Sequence, residues 1–308
     1  MFGLLGAPDV DWSITLDGGR FDVAPGATLR AAISLRPHKA IDARRVMVAL
    51  VATEEYQYTE REHRQTASSS TRTWGSGEVA RQEIQLLGPG QIGAGETRSG
   101  PIEIVVPANA TPSLESAILR VRWKLVAWID VGGRDPKSEV AIVVPLTAAQ
   151  LNSGDVASMG PQVQTTADGE PVTFWLQPAP ILAGSPFSGA VDVMPPLDLS
   201  SARIELRLNV STRMSGGLPG ATLLGLAGFM SSSDDGINES QVLWRGALTD
   251  GGPAGVWHRY LYSGQLPLAP VVTAVFPHGV ATATLDVVMS RRLRPDAHII
   301  RPVAIVTG

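Results

Sequence analysis

Apolar and polar positions alternate in short runs along most of the chain. Val46-Met47-Val48-Ala49-Leu50-Val51, Ile102-Glu103-Ile104-Val105-Val106, Leu119 to Ile129 and Val140 to Val144 are β-rich runs bounded by Gly, Pro or Asp. The second half repeats the style at Val172-Thr173-Phe174-Trp175-Leu176, Ala202 to Val210, Thr282 to Met289 and Val303 to Val306. Period-two alternation puts one set of side chains on a core face and the other toward water, which predicts half-buried strands. No window sustains the i, i+3, i+4 apolar stripe of an amphipathic helix. Leu218 to Met230 is the one ambiguous stretch.

The two halves superpose at a shift of 158 residues. Ala24 to Pro37 then falls on Leu182 to Pro195, with Gly26 on Gly184, Ala32 on Ala190 and Pro37 on Pro195. Without a gap, the same shift carries Ile41 to Leu199, Arg45 to Arg203, Val46 to Ile204, Val48 to Leu206 and Leu50 to Leu208. Apolar positions stay apolar on the same face, so the pattern reads as two copies of one β-domain. Each copy holds about seven strand candidates, which suits an antiparallel sandwich. The expected organisation is a sandwich over 1–148, a linker over 149–169 and a second sandwich over 170–308, since Leu146 to Gly169 is rich in Ser, Thr, Ala, Gly and Gln without strand alternation. Each copy also carries a long polar excursion, Tyr56 to Ala80 in the first and Thr212 to Gln241 in the second.

Composition narrows the function. The 308 residues are 44% hydrophobic and 18% charged, with 32 Gly and 23 Pro, a mix that fits short strands and tight turns. Net charge is −4, and neither half is basic: residues 1–150 carry 16 basic and 17 acidic side chains, residues 151–308 carry 9 and 12. A nucleic-acid partner is therefore not expected. The absence of cysteine removes thiolate nucleophiles, disulfides and Cys-ligated zinc. Met1 to Pro8 has no basic n-region and too short an apolar run for a signal peptide, and no stretch reaches the ~18 apolar residues of a spanning helix. A cytoplasmic protein is expected.

The chain resembles the arrestin family. The residues that carry the likeness are Phe21 to Arg30, which look like the turn into that family's second strand, then Ala43-Arg44-Arg45-Val46-Met47-Val48-Ala49-Leu50. Gly93-Ala94-Gly95 ahead of Ile102 to Pro107 follows, with Pro112-Ser113-Leu114 before the strand through Arg122-Trp123-Lys124-Leu125. Leu285 to Met289 and Arg301 to Ile305 look like the closing strands. The likeness spans nearly the whole chain through the order of the motifs and their doubling. It implies an all-β fold, two tandem arrestin-type antiparallel β-sandwich domains of immunoglobulin-like kind, and a non-catalytic scaffold or adaptor role. Leu87 to Pro101 leaves no room for the short N-domain helix of visual and β-arrestins, and with Gly308 straight after the last strand candidate neither their autoinhibitory tail nor the Pro-Pro-x-Tyr motif of α-arrestins is expected. The nearest shapes implied are the tail-less ones, the retromer arrestin-like subunit and bacterial sporulation-control proteins. A residue usage rich in Ala, Gly, Arg and Val leans bacterial.

By that resemblance the first excursion sits where arrestins place their finger loop, and crest loops 57–79 and 213–240 become the expected partner-binding elements. The residues singled out are Tyr56, Tyr58, Arg61, Arg64 and Trp74 in the first, and Leu223, Leu224, Phe229 and Met230 in the second. The alternative is a structural or assembly component that self-associates or touches a membrane through the apolar 218–230 segment. Against each stands a plain reading: a solvated hairpin for the first excursion and a segment folded back on its domain for the second. No cofactor or catalytic group is expected. His38, His63, His258, His278 and His298 lack metal-ligand spacing, and Glu54-Glu55 and Asp234-Asp235 alternate across a strand rather than facing each other. No nucleophile-elbow, phosphate-loop or dinucleotide motif occurs. Trp12, Trp123, Trp128 and Trp175 lie in strand candidates and are expected in the core, so a lectin-like surface lacks clustered exposed aromatics. Arg44-Arg45 could meet phosphate, but the recurrence of Arg45 as Arg203 favours a shared structural contact.

Overall fold

The computed structural model describes residues 9–64, 67–151, 162–165, 171–194, 202–213, 236–289 and 297–307. In the first half the strands are β1 (Val10–Leu16), β2 (Thr28–Pro37), β3 (Ile41–Ala43), β4 (Arg45–Arg64), β5 (Ala67–Leu87), β6 (Gly90–Ile92), β7 (Arg98–Val105), β8 (Leu114–Glu115), β9 (Leu119–Asp130) and β10 (Lys137–Ile142). The second half adds β11 (Gln162–Thr165), β12 (Pro171–Gln177), β13 (Ile181–Leu182), β14 (Pro186–Val193), β15 (Ala202–Thr212), β16 (Ile237–Ala247), β17 (Thr249–Ala254), β18 (Trp257–Gln265), β19 (Ala274–Phe276), β20 (Gly279–Met289), β21 (Ala297–Val303) and β22 (Ile305–Val306). The runs of alternating residues singled out in the sequence fall on these strands, with Val106, Val143 and Val144 just beyond β7 and β10 and Val303 to Val306 divided between β21 and β22. The fold is all-β, with two copies of one two-sheet arrangement.

The duplication extends to pairing. One sheet of the first copy runs β1-β2-β7, and the second copy places β12-β14-β18 in the same order with β11 and β17 added outside. The other sheets run β10-β9-β4-β5 and, correspondingly, β21-β20-β15-β16. Ala32 lies between Thr15 and Pro101, and its partner in the repeat, Ala190, lies between Trp175 and Leu261. Turns correspond as well. The Ala27 amide donates to the Ala24 carbonyl at 3.0 Å, and the Ser185 amide to that of Leu182 at 3.1 Å. Gly26 and Gly184, inside those turns, both have φ of +80°, a conformation that costs an L-residue strain and glycine none.

Alternation supplies each core. Leu35, Ile41, Ala43, Val46, Ile92 and Ile129 form one buried cluster. A second joins Phe174, Phe187, Val191, Leu206, Tyr260, Leu285 and Ile305. Each cluster draws on both sheets of its copy, which makes each copy a sandwich. Burying one such side chain is worth about 1.5–3 kcal/mol, so the inward set dominates the favourable side of folding.

The compact units do not coincide with the halves of the chain. One comprises Met1–Glu54, Ser76–Ser113 and Val121–Pro145; the other comprises Glu55–Gly75, Leu114–Arg120 and Leu146–Gly308. The distal part of the β4–β5 hairpin thus belongs to the same unit as the second repeat. Within the range expected as linker, Ala148–Gln150 forms a single 3-10 turn closed by a Thr147–Gln150 capping box, and β11 pairs with β12 from Gln162↔Phe174 to Thr165↔Pro171.

Candidate binding surfaces

The first excursion is a ladder of strand rather than a loop. β4 and β5 continue to Arg64 and from Ala67, so 57–64 and 67–79 are extended strand residues. Ser, Thr, Arg and Gln in this stretch hide the strand from a hydrophobicity pattern, although alternation and Thr content are compatible with one. Its base is fixed by side-chain packing. The Tyr56 ring stacks on His278 with centroids 4.0 Å apart and planes 4° apart, and Tyr58 follows at 5.9 Å from Tyr56. Gly75 is glycine because a Cβ there would come within 2.6 Å of the Tyr56 ring. The Gln57 amide donates to the Ile118 carbonyl at 2.8 Å, and the Thr212 hydroxyl donates to the Gln57 carbonyl.

Trp74, one residue before Gly75, lies on the opposite face of β5 and is 43% exposed. The Arg120 guanidinium sits over its ring at 4.7 Å, held by Glu115 at 3.1 Å and Glu55 at 3.9 Å. An exposed indole is thereby fixed under a cation that is itself fixed by two carboxylates. Of the residues singled out in the sequence, Tyr56, Tyr58 and Trp74 are brought onto this hairpin, Tyr56 in a packing role. Arg61 and Arg64 lie on the distal end of β4, where only the backbone is described. Leu223, Leu224, Phe229 and Met230, and the 218–230 segment, lie outside the described residues.

A second surface was missed by the sequence reading. Trp175 is on the outer face of β12 and is 42% exposed, not in the core as expected; the inward position on that strand is taken by Phe174. Its indole Nε1 donates to Asp192 Oδ2 at 3.0 Å, and Arg259 grips the same carboxylate with Nε and Nη2, both at 2.7 Å. The Arg259 guanidinium lies 5.7 Å from the Trp175 ring centre. Asp192 is only 6% exposed. The hydrogen bond from Arg259 holds its carboxyl below the ordinary value against the upward push of burial, with Trp175 adding to the lowering. Beside this triad opens a cleft of about 980 Å³, lined among others by Gln177, Ser188, Ala190, Thr249, Leu261 and Ser263. Beneath it, on the inward side of the sheet, Gly189 has no room for a side chain: a Cβ there would collide with the Trp175 carbonyl and with the Tyr262 hydroxyl that donates to it. The signal that could have found the site was the triple pairing Thr173↔Asp192↔Arg259, legible only once the register is known.

On the outer face of the other sheet of that repeat, Glu205 is fully buried among Arg203, Arg207 and Arg245. Burial pushes its carboxyl up, but the three guanidiniums outweigh it and the net shift is down. Arg207 also lies 3.6 Å from Asp286, whose Oδ2 meets His298 Nδ1 at 2.7 Å. Arg45 in the first repeat pairs instead with Asp130 across the sheet at 2.9 Å. The repeated arginine is thus ion-paired in both copies, to different partners. Among the described residues no group of three or more His, Cys, Asp or Glu could hold a metal ion, and no helix is long and apolar enough to cross a membrane.

No family model matches the chain, and no curated protein matches it. Solved structures do. The sporulation control protein Spo0M from Bacillus subtilis aligns with a TM-score of 0.34 and 13% identity, covering 61% of this chain and 80% of that one. Squid arrestin aligns with a TM-score of 0.46 and 8% identity, covering 96% of this chain and 94% of that one. An arrestin and a sporulation-control protein are among the kinds of protein that the sequence resemblance implies, beside the retromer arrestin-like subunit. Both TM-scores lie below 0.5, and the fold class rests on the chain's own strands and registers.

Proposed function

We propose that the protein is a non-catalytic interaction scaffold that engages a partner protein through the distal β4–β5 hairpin, residues 57–79, with 213–240 as the corresponding element of the second repeat. The observation that carries this reading is Trp74, exposed and clamped by Arg120. Tryptophan and arginine are the residue types that dominate binding energy at protein interfaces, and an indole already held in place forfeits little entropy on contact. The Tyr56–His278 stack gives the hairpin a rigid base, which suits a binding element carried on a sandwich.

The test is a quantitative pull-down from native extract with the full chain, the Trp74→Ala variant and the Arg120→Ala variant. The reading expects Trp74→Ala to lose at least one partner about tenfold or more while circular dichroism and melting stay near those of the parent. An unchanged partner set for both variants would overturn it.

A further inference from the structure

We propose that the cleft beside Trp175 binds a neutral saccharide chain, a site separate from the hairpin surface. The argument starts with what the lining can offer. Trp175 presents an indole whose orientation is fixed from below by its bond to Asp192. Sugar rings have a face of C–H groups that packs on such a plane and a rim of hydroxyls that must be hydrogen-bonded. Hydroxyls and an amide line the cleft beyond the indole: Ser188, Ser263 and Gln177, with the more distant Thr249 hydroxyl donating to the Leu261 carbonyl at 3.2 Å. Arg259 spends Nε and Nη2 on Asp192, and its Nη1 makes no hydrogen bond among the described residues, leaving N–H donors beside the ring.

Charge selects among ligand classes. The Arg259 cation is matched by the Asp192 carboxylate at 2.7 Å, so the cleft carries no spare charge to draw an anionic ligand. A purely apolar ligand would leave the hydroxyls, the Gln177 amide and the Arg259 donors desolvated without partners, which is costly. An extended peptide binds best by adding a strand to a sheet edge, where unpaired amides and carbonyls are offered. The middle of this cleft lies instead on the face of the sheet, over β14, which from Ser188 to Val193 is paired with β12 on one side and β18 on the other. What remains is a neutral ligand with alternating C–H faces and hydroxyl rims. The cleft volume of about 980 Å³ admits several sugar units side by side.

The side chains beneath the cleft are arranged to keep it rigid. Tyr262 lies across Gly189 and donates to the Trp175 carbonyl at 2.7 Å, which ties three adjacent strands together under the indole. Ala190, between Trp175 and Leu261 in the register, is small enough to leave the space above the sheet open. A preformed, shallow, rigid cleft of this kind binds its ligand weakly and without rearrangement.

The test is a titration of the full chain with cellohexaose, maltohexaose, xylohexaose and chitohexaose, followed by tryptophan fluorescence and calorimetry. At least one of the four should bind with a Kd of about 0.1–5 mM. Trp175→Ala should weaken that binding about tenfold or more, Trp175→Phe should restore part of it, and Trp74→Ala should leave it unchanged. Ser263→Trp removes no packed group and fills the cleft from the solvent side, so it keeps the test sharp should Trp175→Ala misfold; it should abolish binding. No response to any of the four at about 10 mM, or binding that survives Ser263→Trp, overturns the proposal. A response to dextran sulfate that exceeds that to every neutral hexasaccharide also overturns it.

Discussion

Paired positions in the two repeats make the sharpest tests at the scale of single residues. Gly26 and Gly184 share φ of +80°, but a Cβ at Gly26 meets nothing nearer than 3.9 Å, whereas one at Gly184 meets Leu268 at 3.1 Å. Replacement of Gly26 by Ala is expected to cost about 1 kcal/mol of backbone strain, and replacement of Gly184 by Ala distinctly more, by chemical denaturation. Equal costs at the two sites would contradict the packing around Leu268. Asp192 provides a pH dependence. Its folded value lies below the unfolded value of about 3.9, so the Arg259–Asp192–Trp175 contact stabilises the fold above about pH 4 and is lost as pH falls through the folded value. Solvent reaches Arg259 and screens part of the effect. Asp192→Asn should lower stability at pH 7 by about 1–3 kcal/mol and flatten the acid limb of the melting profile below about pH 4. A parallel downward displacement of the whole profile would place the cost in packing rather than charge. Trp175 illustrates how far residue type alone can mislead. An alternating strand assigns two faces, and nothing in Val172 to Leu176 states whether Phe174 or Trp175 is the inward one. The register with β14 and the pairing of Asp192 with Arg259 decide that.

Elements were legible where one face of a strand is apolar. β2, β7, β9, β14, β15 and β20 announce themselves because their inward residues recur at period two, and the repeat shift places β14 on β2 without a gap. The distal hairpin was read as a polar excursion because its strands, as part of a ladder without a continuous apolar face, carry Ser, Thr, Arg and Gln. What marks it in the structure is the Tyr56–His278 stack, the Gln57–Ile118 and Thr212–Gln57 hydrogen bonds and the Arg120 guanidinium over Trp74. The two stacked rings couple. Tyr56→Ala and His278→Ala should each cost about 0.5–1.5 kcal/mol, and the double variant should cost less than the sum, by denaturant titration. Strict additivity would show that the stack contributes nothing. Gly75→Val is expected to behave like Tyr56→Ala or worse, because the new side chain takes the space of the ring.

For the whole molecule, doubling of one sandwich explains the length, the low charge and the turn-rich composition together. The repeat boundary and the compact units nevertheless differ, since Glu55–Gly75 and Leu114–Arg120 group with the second repeat. A fragment of residues 146–308 alone would lack the Tyr56 ring against His278 and the Gln57 carbonyl that Thr212 bonds. It should melt several degrees below the full chain and bind more ANS, whereas equal melting would show the hairpin to be dispensable for folding. No signal local to residues 55–75 announces that grouping, because it arises from contacts more than 150 residues away in sequence. The central claim, a scaffold that binds through this hairpin, is tested most directly by replacing Trp74 with a photo-crosslinking phenylalanine analogue and irradiating the protein in native extract. The account predicts a discrete protein adduct that is absent when the same analogue is placed at exposed Val256. Identical adducts from both positions, or none from position 74, would contradict it.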